Sequence, residues 1–326
     1  MERDARIPVN RLLLSLLFAQ ENAHEAAGEA GKSFNAGEMI IEHVSNSSHE
    51  HPLIHLPRIF GIDLSVTKHV FMLWFVATIV FVVVTWTVRR YLKQERPIPS
   101  GLMNGLEAVV EWVRDSVVRP NVGNKWVNTW TPLILTFFLL ILCANAIGLI
   151  PLFDVVALID RFILHTGHES FIAGAVHGGT TATANFNVTA GLAMITFFAI
   201  IIAGSKAHGF VKHWKNIVPH GLNPLIYILL IPIEIIGMFV RPFALTMRLA
   251  ANMTGGHIAI LAILSFVFLF AQMFGTALAG IGVGFIVSVP LAVGISGLEI
   301  IVVLVQAYVF TLLSAVFIGM AIHVHH

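Results

Sequence analysis

Between Leu222 and His326 the chain carries only four residues of the types Asp, Glu, Lys and Arg: Glu234, Arg241, Arg248 and Glu299. So sparse a tract cannot be the surface of a soluble domain, where roughly a quarter of residues are charged. It must lie in lipid, as helices that satisfy their own backbone groups. The shortage extends over all 326 residues, which are 57% hydrophobic and 11% charged. The fold class is an all-α integral membrane protein.

Five stretches are apolar and long enough to cross a bilayer, at about 69–88, 132–150, 187–204, 223–270 and 284–322. About 20 helical residues rise the ~30 Å of the hydrocarbon core. The last two, divided near "TALAGIGVG" at 276–284, are longer than that and must be strongly tilted or project beyond the lipid. The basic loops "RRYLKQER" (89–96) and "KAHGFVKHWK" (206–215) mark the cytoplasmic side. The loop 151–184, with Asp154, Asp160, Arg161 and Glu169, then lies outside, as does the N-terminus, and "AIHVHH" lies inside.

Between the first two spans, "SGLMNGLEAVVEWVRDSVVRP" (100–120) places Leu102, Leu106, Val109, Val110, Val113 and Val117 at helical spacing. Glu107, Glu111 and Arg114 fall opposite them. The pattern predicts an amphipathic helix on the cytoplasmic surface, N-capped by Ser100 and ended before Pro120. Residues 1–65 form a polar tail ahead of a membrane domain at 66–326. The run "LLLSLLFA" (12–19) after three arginines fits a cleavable signal peptide within 1–20. The acids Glu2 and Asp4 fit an amphipathic or disordered tail equally well. The apolar stretches of 155–184 are long enough for an extra hairpin.

Several function classes fall away. A net charge of +1 gives no footing for nucleic acid, and the single Cys143 allows no intrachain disulfide. No GxxxxGK[ST] phosphate loop is present. The "HEHP" cluster (49–52) and terminal "HVHH" lack the ligand set of a known metal site and read as solvated tails. No cofactor is expected.

What remains is the chemistry of the few charges. Glu234, Arg241 and Arg248 are seven residues apart, as are Glu299 and Gln306. A seven-residue step returns within about 20° of the same helix face. An arginine at bilayer depth costs about 2.5–3.5 kcal/mol even on an insertion scale, and buried ionisable groups mark ion pathways. The plainer reading is that Arg248 pairs with a carboxylate to lock two helices. Glu234, about 21 Å away along the axis, cannot reach it, and Glu299 is on the other helix. A guanidinium does not deprotonate, so Arg248 is a fixed cation. His257 and Glu299 can exchange protons, although a lone His257 also reads as a hydrogen-bonded interface residue.

"LTMRLAANMTGGH" (245–257) and "VQAYVFTLLSAVFIGMA" (305–321) resemble the two signature helices of subunit a of the rotary F-type ATP synthase. "RPIPSGLMNGLEAVVEWVRDSV", "PLILTFFLLILCANAIGLIP" and "ANFNVTAGLAM" resemble its preceding segments, so the likeness covers roughly 60–326. The resemblance implies a non-catalytic, proton-translocating subunit of the bacterial inner membrane. Its partners would be the c-ring, the peripheral-stalk subunit b and the other ATP synthase subunits. Carried over by position, Arg248 matches the arginine that faces each passing c-subunit carboxylate, with Asn252 and Gln306 as its polar neighbours. His257 and Glu299 match a pair in the outer half-channel, and Glu234 an acid near the inner one. Asn145, Asp154 and Asn187 are candidate lining of the outer half-channel. The sequence departs from the family at Gly148, which stands where an acid is common, and in the insert 155–184, which is longer than a standard loop.

The rival reading is a secondary transporter or ion channel with an intramembrane Arg/Glu/His pathway. Transporters are usually built from repeats with broken helices at matching positions, and no repeat is evident here.

Overall fold

A computed structural model of the chain describes residues 35–37, 40–41, 65–93, 99–149, 181–215, 224–274, 280 and 282–323. The expected signal peptide, the "HEHP" cluster, Asp154 and nearly all of the expected 155–184 hairpin lie outside the described residues. Among the described residues, five helices are long and apolar enough to cross a membrane. They are α1 (Lys68–Leu92), α3 (Val127–Leu149), α4 (Phe186–His208), α6 (Pro224–Phe274) and α7 (Val289–Ile322). Shorter helices accompany them, among them α2 (Leu102–Trp112) and α5 (Phe210–Lys215). A single 3-10 turn at Ala182–Ala184 leads into α4.

α7 packs against α3, α4 and α6 and forms the centre of the bundle. The shared core joins Ile134, Phe137 and Ile141 of α3 with Leu192 and Ala199 of α4, Leu249 and Met253 of α6, and Phe310 and Ile318 of α7. Phe137 and Phe310 meet edge to face at 5.5 Å. α1 sits to one side, where Met72 and Val76 close over Ala144 and Ala182. Lipid supplies no hydrophobic drive between helices, so close packing and interhelical hydrogen bonds must hold them. One such bond joins Thr196 Oγ1 of α4 to Ser314 Oγ of α7 at 3.2 Å, both fully inside the bundle.

α6 has 51 residues and α7 has 34, rises of about 76 and 51 Å. Both exceed the ~30 Å hydrocarbon thickness. Only α7 is substantially covered; α6 exposes Ile228, Ile236, Phe239 and Phe243 along its outer face.

Two details of the amphipathic segment differ from expectation. Ser100 does not cap α2. The cap is Gly101 at φ 57°, ψ −125°, a conformation that an L side chain resists. Nor does the helix stop before Pro120: it continues through a π turn at Val113–Val118 and an α turn at Arg119–Val122, ending at Gly123. The physical reason recurs at the start of α7, where a π turn at Gly284–Ser288 precedes Pro290. In each case the π turn ends two residues before a proline. Proline lacks the N–H that would close an ordinary turn, and its ring collides with the carbonyl four residues back. Widening that turn relieves both faults without ending the helix.

The apolar face of this segment is buried only at its far end. Val113, Val117, Val118 and Val122 are fully enclosed, whereas Leu102 is 67% exposed. The enclosed end docks on α7, where Gly319 lets the Asn121 carbonyl approach the helix backbone. His323, expected in a solvated tail, has its Nε2 3.2 Å from the Val122 carbonyl oxygen. Gly319→Val should therefore overpack this joint and destabilise the purified protein by about 1–3 kcal/mol. Gly294→Val, at a site where nothing lies near a new Cβ, should not. The check is the melting midpoint of both variants in detergent.

Candidate functional site

The seam between α6 and α7 holds most of the polar residues singled out in the sequence. Asn252 Nδ2 donates to Gln306 Oε1 at 3.1 Å. The Glu299 carboxyl lies against Gly256, where any side chain at 256 would overlap it. Arg241 stacks over the Phe317 ring at 5.8 Å. Residue numbers fall along α7 as they rise along α6, so the two helices are antiparallel. Arg248 consequently sits one turn from the Asn252–Gln306 bridge.

Three groups are ordered along this seam. Towards one end lies Glu234, whose Oε1 accepts from Arg241 Nη2 at 3.0 Å. In the middle is Arg248, exposed on the outer side of α6 and without a hydrogen bond or ion pair among the described residues. Beyond it come His257 and Glu299. His257 does not bond Glu299. Its Nε2 lies 2.7 Å from Thr181 Oγ1, and both Glu299 oxygens lack a partner among the described residues despite being enclosed.

That end of the bundle is closed by the short turn at 181–184. The Thr183 hydroxyl donates to Asn145 Oδ1 of α3, and the Thr254 hydroxyl of α6 donates to the Ala184 carbonyl at 3.0 Å. Asn145 is fully buried and its Nδ2 lacks a partner among the described residues, as does Gln306 Nε2. Leaving a buried polar atom unpaired costs about 1–3 kcal/mol. Such atoms are rare in folded proteins and call for a reason; several others lie elsewhere in the bundle, and those of Glu299, Gln306 and Asn145 belong to this seam and the turn that closes it. Asn187 stands apart, in the first turn of α4, where its backbone N–H donates to the capping Asn185 Oδ1 at 2.8 Å. Its side chain lines a cleft of about 460 Å³ between α1 and α4, edged by Ser65, Thr67 and Asn185.

The family model described as ATP synthase A chain matches residues 70–319. The chain belongs to that family. It is 40% identical to ATP synthase subunit a 2 of Chlorobium luteolum, over 93% of this chain and 80% of the relative. ATP synthase subunit a of Pelodictyon phaeoclathratiforme is 35% identical, over 98% and 86%. ATP synthase subunit a of Anaeromyxobacter dehalogenans is 35% identical, over 94% and 76%. An ATP synthase A chain is a membrane-sector subunit, and five membrane-crossing helices fit that place.

Two features of this family member were not legible as pairs. Glu234 and Arg241 are seven residues apart, outside the usual three- and four-residue helix templates. Gly237, between them on the same face, puts no side chain in the way. The threonines at 181, 183 and 254 carry no charge to mark them in the sequence, yet they tie the 181–184 turn to α3 and α6. A signal was available in Gly148, since a glycine in place of an acid leaves room, and Thr181 occupies it.

The antiparallel seam makes a direct expectation. Cysteines at Asn252 and Gln306, in a Cys143→Ala background, should cross-link with a short reagent, whereas Asn252 paired with Leu298 should not. Linkage favouring 298 would shift the register of the two helices.

Proposed function

We propose that the chain is the proton-translocating subunit a of an F-type ATP synthase, non-catalytic itself, with two offset half-channels that load and unload c-ring carboxylates. The observation that carries this reading is the order along α6 and α7. A permanent cation at Arg248, unpaired among the described residues, separates a titratable His257 and Glu299 on one side from Glu234 on the other.

Each group has a role set by its chemistry. A proton arriving from outside passes by way of His257 and Glu299, with Asn145, Asp154 and Asn187 lining the approach, and neutralises a carboxylate on the ring. The neutral site then turns through lipid, which a charged one could not do without a large desolvation cost. On the far side of Arg248 the guanidinium favours the ionised carboxylate, and the proton leaves past Glu234. The same fixed charge opposes a direct leak, because an arginine cannot hand a proton on. Asn252 and Gln306 hold the seam beside it.

The exposed apolar face of α6 around Arg248 is the surface that meets the ring, and subunit b is the stalk partner. Arg89, Arg90 and Lys93 at the end of α1, with Lys125, Lys206 and Lys212, gather at the Gly123 end of the bundle. They support a cytoplasmic Gly123 end, an outer Thr181 end and an N-terminus outside, in a bacterial inner membrane. The ion is taken as H⁺ rather than Na⁺ because an imidazole and a carboxyl suit proton exchange.

The test is ATP-driven pumping in inverted vesicles for the wild type, His257→Ala, Glu299→Ala, His257→Glu, and the swap His257→Glu with Glu299→His. Each single change should lower the rate on the order of tenfold or more, as expected for loss of a positioned proton carrier. The swap keeps one acid and one imidazole across the same seam and should recover much of what His257→Glu loses. A swap no faster than the worse single would return His257 to an interface role.

A further inference from the structure

The imidazole of His257 has two nitrogens, and the partner of one decides where the proton sits on the other. Its partner is not the acid that the chemistry suggests. It is Thr181, whose hydroxyl lies 2.7 Å from Nε2. A hydroxyl both donates and accepts and rotates to suit. It can therefore keep hold of Nε2 in either tautomer, which a carboxylate, acting only as an acceptor, cannot do.

Thr181 is itself fixed. It is fully buried, and the turn that follows it is fastened on three sides. Thr183 bonds Asn145 of α3. The Ala184 carbonyl accepts from Thr254 of α6 at 3.0 Å, and Ala182 is packed among Met72, Val76 and Ala144. On the fourth side it rests on Gly148. A methyl group at 148 would overlap the Thr181 side chain and come within 2.9 Å of its Cα. The overlap therefore involves backbone, which cannot step aside as a flexible side-chain tip would.

We propose that Thr181 is the positioning residue for His257, admitted to its place by the glycine at 148. The inference rests on the proton-path reading above and extends it. Anchored to α1, α3 and α6, the hydroxyl sets the ring's orientation toward Glu299 on the opposite helix. Gly148 is thus the condition for a threonine-held histidine.

Two substitutions at 181 separate positioning from packing. Thr181→Ser keeps the hydroxyl and loses the methyl; Thr181→Val keeps the shape and loses the hydroxyl. ATP-driven pumping in inverted vesicles, normalised to assembled complex, should stay near wild type for Thr181→Ser. For Thr181→Val it should fall about two- to tenfold, the weight of one hydrogen bond. Gly148→Ala should resemble Thr181→Val although it alters neither partner. A packing role predicts the reverse order at 181, so Thr181→Val at the wild-type rate, or Thr181→Ser the slower of the two, overturns the proposal. So does Thr181→Val failing to assemble where Thr181→Ser assembles, since the hydroxyl would then serve folding. His257→Ala in the same vesicles isolates the parent reading. If it pumps at the wild-type rate, the proton path itself is wrong, whatever Thr181 does.

Discussion

The structure depends on an antiparallel contact between two helices that must keep polar atoms inside an apolar seam. Lipid offers those atoms no alternative partner, so every polar side chain between α6 and α7 has to be matched across the seam or tolerated unmatched. Asn252 Nδ2 and Gln306 Oε1 are matched, while Gln306 Nε2 has no partner among the described residues. Glu299 is enclosed against Gly256 with both oxygens unpaired among the described residues. Small residues make the contact close enough for this: Gly256 admits the carboxyl, and Gly319 admits the end of the amphipathic segment. The bundle is therefore tight where it carries unpaired polar atoms. That combination is costly for stability and suits a path for protons.

Arg248 is the exception in kind. It faces out of the bundle, on a helix whose outer surface is otherwise apolar. A guanidinium there has no partner within the described chain, while its neighbour one stripe-step away, Arg241, is neutralised by Glu234 and covered by Phe317. Two arginines seven residues apart thus have opposite fates. One is internally compensated and the other left for something outside the chain. The carboxylate ring proposed above has the chemistry to be that partner.

Much of this was legible in the sequence, because charge is so scarce that each charged residue stands out. The five crossings follow from apolar length, and the polar stripes follow from the seven-residue spacing of Glu234, Arg241 and Arg248 and of Glu299 and Gln306. What was not legible involves uncharged or absent side chains. Ser100 resembles an N-cap by type, but Gly101 provides the needed backbone conformation. Pro120 resembles a stop, but a π turn carries the helix past it. His257 suggests a carboxylate partner by chemistry. A threonine 76 residues earlier reaches it instead, through a gap that only a glycine leaves. Long-range contacts of that sort have no periodicity to announce them.

The central claim is that Arg248 is a fixed, externally directed cation on which coupling depends, rather than a lock between helices. The most direct measurement is the quenching of a pH-sensitive dye in inverted vesicles carrying assembled Arg248→Ala complex, on addition of ATP. Since Arg248 makes no hydrogen bond or ion pair among the described residues, assembly should survive its loss. The account predicts intact complex with no ATP-driven quenching. Quenching at the wild-type level would contradict it.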